Sequence, residues 1–289
     1  MSAGSRPPVR ALPGPMAKAS FAALQKSARA RGRCLQIVGA CGKSAVMKSH
    51  DVAMAEHFEF RDLSYAVFWG VDLRGAAFRD VDLTGAHMSH ARFTDVAIDA
   101  VIDRLVINGV DVTGYVNDRD AWFALRSHLD PTEPERMRQG WGIYLEAWEA
   151  AIERAQRLTD TQRHSSVDGE WSFVQTLRHL VFGTDKWFTV PIVGGTFHPM
   201  GLPNSGSANF GWPGIDDHVE PTFDEAYATW KDRWSRLGEY LEDVGPPALN
   251  AEVVILENGA TAVHDCIGVV FEEHFEHLRY ATRDLDRLG

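Results

Sequence analysis

Residues 58–98 read FEFRDLSYAVFWGVDLRGAAFRDVDLTGAHMSHARFTDVAI. Large apolar residues occupy every fifth position of this stretch, and a small apolar residue stands two positions before most of them. The large set is Phe58, Leu63, Phe68, Leu73, Phe78, Leu83, Met88, Phe93 and Ile98, and the small set is Ala66, Val71, Ala76, Val81, Ala86, Ala91 and Val96. A period of five fits neither an α-helix, with about 3.6 residues per turn, nor a strand, in which side chains alternate. A chain that turns a corner every five residues would place one large and one small apolar side chain inside each face, so that stacked coils bury a narrow column.

The period-five stretch closely resembles the pentapeptide-repeat family. This resemblance implies a right-handed β-helix with four pentads to each coil, so the nine pentads here would form little more than two coils. Amphipathic strands are the alternative, but strand alternation would not hold a five-residue phase for about forty residues. We therefore predict a short right-handed quadrilateral β-helix in a domain at residues 56–116, which ends in a hairpin at 107–111. We expect this domain to act as a structural cap or as the surface for a homodimer or another protein partner.

The first 50 residues differ in composition from the rest of the chain. They contain nine of the 29 Lys and Arg residues, four prolines, and no Asp or Glu. This composition, without apolar periodicity, predicts a disordered basic leader at residues 1–50, or a true start at Met47 or Met54. Its apolar stretches are too short for a secretory signal. Residues 39–44 lack the first glycine of a phosphate-binding loop, so we expect no nucleotide site there.

Composition also limits the classes of function. A chain of 289 residues that is 45% hydrophobic can bury a sizeable core and has room for two domains. Beyond the leader, 20 basic residues stand against 40 acidic ones, a formal charge of about −20, which should repel nucleic acid. No run of about 18 apolar residues occurs, so we expect no membrane span. Three cysteines are too few and too scattered for a disulfide framework, which favours a reducing cytoplasm.

After residue 117 the apolar residues take helical spacing. Helices are predicted at residues 136–158, 172–186, 222–241 and 261–288. Ser172 with Gln175, and Thr222 with Glu225, have the spacing of capping boxes, and Thr261 is the expected cap of the last helix. These elements predict an all-α four-helix bundle over residues 118–289. A long crossover at 191–221, rich in Pro and Gly, could cover a site.

Three polar side chains on the second and fourth predicted helices could form a metal site. Glu273 and His277 are four residues apart, so they project from one face of a helix. His179 on the second helix would supply a third ligand, and small residues on its side of that helix leave space for the imidazole. Three protein ligands leave a position open on the metal.

The apolar stripe of the last helix offers a rival ligand. His274 lies nearer the centre of that stripe than Glu273 or His277 does, so it could replace Glu273. His198 and His218 in the crossover could also face the site, although histidines in such loops are more often solvated. A bundle without metal is the remaining alternative.

Three segments resemble the DinB superfamily, and more closely its branch related to mycothiol-dependent enzymes. They are residues 169–182 (GEWSFVQTLRHLVF), 198–203 (HPMGLP) and 272–281 (EEHFEHLRYA). The resemblance covers roughly residues 120–289 and implies a four-helix bundle with a divalent metal near one end, held by three side chains that are usually histidines. The His, Glu and His set of the mycothiol-dependent maleylpyruvate isomerases corresponds here to His179, Glu273 and His277.

The same resemblance implies the chemistry. Two imidazoles and one carboxylate suit Zn²⁺, which activates a bound water or thiol. A low-molecular-weight thiol is the implied cofactor or co-substrate, and a thiol S-transferase or a thiol-dependent isomerase is the implied activity, with hydrolysis next. Four residues near the candidate ligands could bind a small-molecule substrate: Asp185, Trp187, Arg279 and Tyr280. Asp185 and Arg279 could equally form a solvated face. The competing hypothesis is a non-catalytic interaction protein whose metal is structural or absent.

Overall fold

The computed structural model describes residues 56–58, 61–79, 81–129, 131–205, 207, 211–216, 218–255 and 258–289. The predicted basic leader at 1–50, both alternative start methionines and residues 39–44 lie outside the described residues. Within the described part of the chain, no helix has both the length and the apolar character needed to cross a membrane.

The backbone of the repeats turns with the period that the sequence predicts. Residues with positive φ recur at multiples of five positions, and they are Tyr65, Gly70, Gly75, Gly85, His90 and Asp95. Turn hydrogen bonds recur every ten residues, from the amides at positions 66, 76 and 86 to the carbonyls three residues earlier, at 2.9–3.0 Å. Glycine is favoured at such corners because it has no Cβ to clash in the left-handed conformation. The five-residue corner geometry is therefore formed.

The apolar side chains of these pentads are not enclosed. The nine large side chains expected to fill a column are 44–65% exposed. The prediction of a buried column is therefore wrong for the described repeats, because so few coils leave most side chains with no coil above or below to cover them. The right-handed four-sided β-helix stays a prediction, since the corners alone fix neither the number of sides nor the hand.

The predicted hairpin joins the repeats to the helices. Strands β1 (Val106–Ile107) and β2 (Val110–Asp111) pair antiparallel. Asn108 and Gly109 connect them with φ of 50° and 80°, as the tight turn of a two-residue hairpin requires. Two short helices, Thr113–Asn117 and Phe123–Arg126, then lead into the main helical part.

Four long helices dominate the part of the chain that the structure describes after this hairpin. They are α1 (Pro134–Gln156), α2 (Phe173–Thr184), α3 (Phe223–Asp243) and α4 (Val263–Leu288), with single turns at Asp160–Arg163 and Pro246–Leu249 in the connections. Both predicted capping boxes are confirmed. The hydroxyls of Ser172 and Thr222 accept hydrogen bonds from the amides three residues later, at 3.3 Å in each case. Local sequence thus sets where α2 and α3 begin.

The start of α4 differs from the prediction. Thr261, expected as the cap, lies in strand β4 (Gly259–Ala262), which pairs with β3 (Glu252–Ile255). Helix α4 begins directly after Ala262 without a side-chain cap. Strands of four residues are too short for their alternation to be recognised, so this hairpin was not predicted from the sequence.

Aromatic residues fill the space between the helices. Fully buried side chains include Tyr144 and Trp148 of α1, Trp230 and Trp234 of α3, and Phe271 of α4. The rings of Tyr144 and Phe271 stack with centroids 5.3 Å apart. Helix α1 packs on α4, and α2 packs on α3. The predicted apolar stripe of α4 is confirmed, since Val263, Ile267, Phe271, Leu278 and Leu285 are all buried.

The close approach of α1 and α3 depends on a glycine. A Cβ at Gly238 would lie 2.6 Å from two ring atoms of Trp141, whose indole N–H is fixed by a 2.9 Å hydrogen bond to the carbonyl of Trp234. We expect Gly238→Ala to lower the free energy of unfolding by about 1–3 kcal/mol, because the fixed indole must be displaced. The control is Gly142→Ala on α1, where a Cβ meets no atom within 4 Å. That variant should be neutral or stabilising by up to about 1 kcal/mol. Urea unfolding measures the change in the free energy of unfolding for both variants. Equal changes in the two variants would contradict the steric explanation.

Helix α2 continues into a π-helical turn, and a side chain of this turn binds the crossover. This turn spans Asp185–Thr189, and the amide of Val190 donates to the carbonyl of Asp185 at 2.9 Å. The buried carboxylate of Asp185 accepts from Nε of Arg233 at 2.7 Å and from the amide of His198 at 2.8 Å. One carboxylate therefore ties α2, α3 and the crossover together.

An acidic residue at the end of the repeats contacts the helical part. Asp99 lies 2.8 Å from a guanidinium nitrogen of Arg126 and 2.5 Å from one of Arg279 on α4. Arg126 also pairs with Asp120 at 2.7 Å. The end of the repeats is thus linked by ion pairs to the short helix that contains Arg126 and to α4.

Candidate metal centre

Helix α2 and the crossover together orient the first candidate ligand. His179 lies two turns after the Ser172 cap, and its side chain is only 3% exposed. Its Nδ1 is 2.9 Å from the carbonyl oxygen of Leu202 in the crossover. Because a carbonyl oxygen only accepts, Nδ1 carries the proton and donates it. This bond fixes the ring so that Nε2 points toward α4, a common arrangement for a metal-binding histidine.

Helix α4 brings the other two candidate ligands to the same point. Oε2 of Glu273 lies 3.2 Å from Nε2 of His179 and 3.4 Å from Nε2 of His277. One ligand atom from each residue lies within 4.8 Å of the others. A Cβ added at Gly183 would lie 3.8 Å from Cγ of Glu273, an ordinary van der Waals contact, so α2 and α4 lie close together at this point. The structure thus brings together His179, Glu273 and His277, the three residues predicted as ligands.

The charges of the cluster suit a cation. Burial by itself raises the pKa of the Glu273 carboxyl, yet the contacts with His179 and His277 outweigh burial and hold this pKa well below its ordinary value. Burial lowers the pKa of His277, so its imidazole is neutral near pH 7. Without a bound ion, the site therefore contains a buried carboxylate beside a neutral imidazole.

The contact between His179 and Glu273 needs a positive charge between the two atoms. Since Nδ1 of His179 donates to Leu202, a neutral imidazole has its lone pair on Nε2. That lone pair would then face a carboxylate oxygen 3.2 Å away, and two acceptors repel each other. Either a proton on Nε2 or a metal ion between the atoms removes the repulsion. A divalent ion satisfies all three ligand atoms at once, so the donor set fits a metal.

His274, the rival ligand, points into the aromatic core. Its Nε2 accepts from the indole N–H of Trp230 at 3.1 Å, and its Nδ1 lies 2.7 Å from the carbonyl of Val270. Its ring also packs against that of Trp234 with centroids 4.1 Å apart. Both nitrogens are therefore engaged, and burial lowers the pKa of His274 to about 3. The apolar period correctly indicates that His274 is central to the stripe, but this position places it in the core, away from the cluster.

Trp171 covers the cluster and was not identified as a site residue from the sequence. The centroid of its ring lies 4.4 Å from that of His179 and 5.7 Å from that of His277. The side chains of Glu273 and His277 are only 11% and 18% exposed. Trp171 directly precedes the cap residue of the helix that carries His179. This position in the sequence could have indicated that its ring lies near the site. The candidate site is closed, and His277 is the most accessible of the three candidate ligands.

The other predicted site residues lie elsewhere or have structural partners. The amide of His198 donates to Asp185, and His218 is exposed. Asp185 is fully buried, so it is not part of a solvated face, and Arg279 is held by Asp99 and Glu276. Trp187 is buried. Tyr280 alone of these residues has its ring near that of a candidate ligand, 6.3 Å from His277.

Two segments of the chain match known families. A model of the DinB superfamily matches residues 143–281, which include all three candidate ligands, and a model of pentapeptide repeats matches residues 62–96 in eight copies. A search of the curated proteins and a search of the solved structures found no match.

Proposed function

Since this chain belongs to the DinB superfamily through residues 143–281 and carries pentapeptide repeats at 62–96, we propose that its helical domain binds a divalent metal ion through His179, Glu273 and His277. The observation that carries the proposal is the convergence of one ligand atom from each of the three residues within 4.8 Å. Two neutral imidazoles and one carboxylate would leave a bound divalent ion with a charge of about +1. This donor set fits zinc, and three protein ligands are typical of sites that keep a position for a water or a substrate atom.

The proposed activity is a thiol S-transferase or a thiol-dependent isomerase with a small-molecule substrate. A bound zinc ion would lower the pKa of a thiol or of water at its open position. The residues of the chain have defined tasks in this proposal. Leu202 orients His179, Glu273 supplies the negative charge, and Trp171 excludes bulk water. The His, Glu and His set, which resembles that of the mycothiol-dependent isomerases, supports a low-molecular-weight thiol as co-substrate. We place this activity in the cytoplasm, consistent with three cysteines that are too few and too scattered for a disulfide framework.

A non-catalytic interaction protein is the second candidate. Two observations favour it: the closed site, and the half-exposed apolar side chains of the repeats, which a homodimer or another protein would cover. The net charge of −11 disfavours nucleic acid as that partner. In this case the metal would be structural or absent.

Metal content of the full-length chain tests the proposal. The protein is purified without a metal-binding tag and analysed for metals beside His179→Ala, Glu273→Gln and His277→Ala. We expect about one divalent ion per chain in the wild type and a loss of at least about tenfold in affinity in each variant, because each removes one of three ligands. Thiol-transfer assays with and without that ion would then separate the two candidates.

The matched control is His218→Ala, which removes an exposed histidine from the crossover. It should keep the wild-type metal content. A folded wild type without metal, after incubation with Zn²⁺ and removal of the excess, would contradict the metal proposal. Equal metal loss in His218→Ala would show that the ion binds outside the cluster.

A further inference from the structure

The segment in front of α2 lies over the candidate metal site and is attached to α4 by ion pairs. We call residues 165–171 the cover segment. Glu170 lies 2.6 Å from a guanidinium nitrogen of Arg283, and Asp168 pairs with Arg287 one turn further along α4. Trp171 ends the segment and places its indole against both candidate imidazoles. The cover segment thus joins the site to the surface of α4.

The contacts of the cover segment are weaker than those of the ligands. Asp168, at φ 54°, and Gly169, at φ 78°, form an exposed turn, and the side chains of Asp168 and Arg287 are 64% and 44% exposed. The segment also borders a crevice of about 10 Å³ between α2 and α4, room for at most about one water. His179 and Glu273, by contrast, are fixed on two packed helices. Elements with few buried contacts open at lower free energy than packed helices.

We propose that Trp171 is a movable gate over the metal position, and that the ion pairs Glu170–Arg283 and Asp168–Arg287 hold the gate closed. Closed, the indole would shield from solvent the place between the three ligand atoms where an ion would bind. Open, it admits a small molecule such as a thiol beside His277. The inference rests on the proposed function, because a gate matters to function only if the cluster binds a ligand there.

Chemical modification of histidines tests the gate without any metal. The chelator-treated full-length chain is reacted with diethyl pyrocarbonate at pH 7, and the rate at each histidine is read by peptide mass spectrometry. We expect Trp171→Ala to raise the rate at His277 by about tenfold or more, and Trp171→Phe by less, because a smaller ring still covers part of the site. His274, buried in the core, must stay unreactive in every variant, which verifies that each one is folded.

The ion pairs are tested with variants that differ in one contact. Asp168→Asn removes the charge from the cover segment and still tolerates a positive φ. It should raise the rate at His277 about twofold to fivefold, the factor expected from an exposed ion pair. The control is Asp286→Asn on α4, which removes an exposed pair with Arg154 of α1 without touching the cover segment. It should leave the rate at His277 unchanged.

Release of metal gives a second readout that separates this inference from the proposed function. The Zn²⁺-loaded proteins are mixed with excess 4-(2-pyridylazo)resorcinol, and the colour of the zinc complex is followed in time. Trp171→Ala should bind about one ion and release it about tenfold faster than the wild type. Unchanged modification at His277 in Trp171→Ala, with His274 unreactive, would overturn the gate. A wild type that binds no ion overturns the metal proposal alone, because the modification rates still decide whether Trp171 is a gate.

Discussion

Asp185→Ala should lower the free energy of unfolding by about 3 kcal/mol or more, because it leaves the guanidinium of Arg233 buried without its main partner. Asp185 is fully buried, and the side chain of Arg233 is only 11% exposed. The substitution also leaves the amide of His198 without its acceptor. Arg233 keeps a 2.8 Å contact with Asp232, so we expect the lower part of the range of about 3–5 kcal/mol that is typical of broken buried pairs. Urea unfolding followed by circular dichroism measures the change.

The control for this prediction is an ion pair of Lys231, which lies two residues before Arg233 on α3. Lys231 pairs with Glu149 at 2.7 Å, but its side chain is 50% exposed. Lys231→Ala should therefore cost no more than about 1 kcal/mol. The double variant Asp185→Leu with Arg233→Met should recover part of the lost stability, since apolar residues of similar size remove the uncompensated charge. An Asp185→Ala variant as stable as Lys231→Ala would show that the buried pair contributes little.

The second large effect is a loss of stability in acid caused by His274. Burial lowers the pKa of this imidazole from the ordinary value of 6.5 to about 3. Between these values the unfolded chain binds a proton that the native protein excludes, so the free energy of unfolding falls as the pH falls. The contribution of His274 to this loss is about 3 kcal/mol between pH 7 and pH 4. Unfolding of chelator-treated protein at a series of pH values measures it.

His274→Gln isolates this contribution. Glutamine cannot titrate, but its amide can still accept from Trp230 and donate to the carbonyl of Val270. The variant should be less stable than the wild type at pH 7 because the imidazole fits its aromatic surroundings. Its stability should then fall less steeply, so that the difference between the two proteins changes by about 3 kcal/mol in favour of the variant by pH 4. If the free energies of unfolding of the two proteins fall in parallel between pH 7 and pH 4, His274 does not take up a proton on unfolding in this pH range. Glu273 and His277 are present in both proteins, so their contributions to the pH dependence of stability cancel when the two proteins are compared.

The sequence predicts those parts of the fold that depend on near neighbours in the chain. The capping boxes at Ser172 and Thr222 involve residues three apart, and the five-residue corners lie within single pentads. The face shared by Glu273 and His277 also follows from a local spacing. These features were confirmed because they need no knowledge of what packs against them.

Features that depend on distant residues could not be predicted. Asp185 looks like a surface or site residue until Arg233, on another helix, is placed beside it. His274 and Glu273 are adjacent on α4, and only the positions of Trp230 and His179 show that one belongs to the core and the other to the cluster. The same holds for Trp171, whose contacts span α2 and α4. The exposed interior of the repeats was missed because the length of the stack, rather than the period, decides whether it can enclose a column.

The ion pairs of Asp99 with Arg126 and Arg279 have a consequence for how such a protein could have been assembled from separate modules. Arg126 and Arg279 both hold this carboxylate, and Arg279 follows the candidate ligand His277 by two residues on α4. An ancestor that exchanged its repeat array for another one would have kept the contact with α4 only if the new array also ended in an acid. Without that acid, Arg126 would keep Asp120 and Arg279 would keep Glu276 as partners, but the ion pair between the repeats and α4 would be lost. An exchange of the repeats alone would therefore remove an ion pair to the helix that carries two of the candidate ligands.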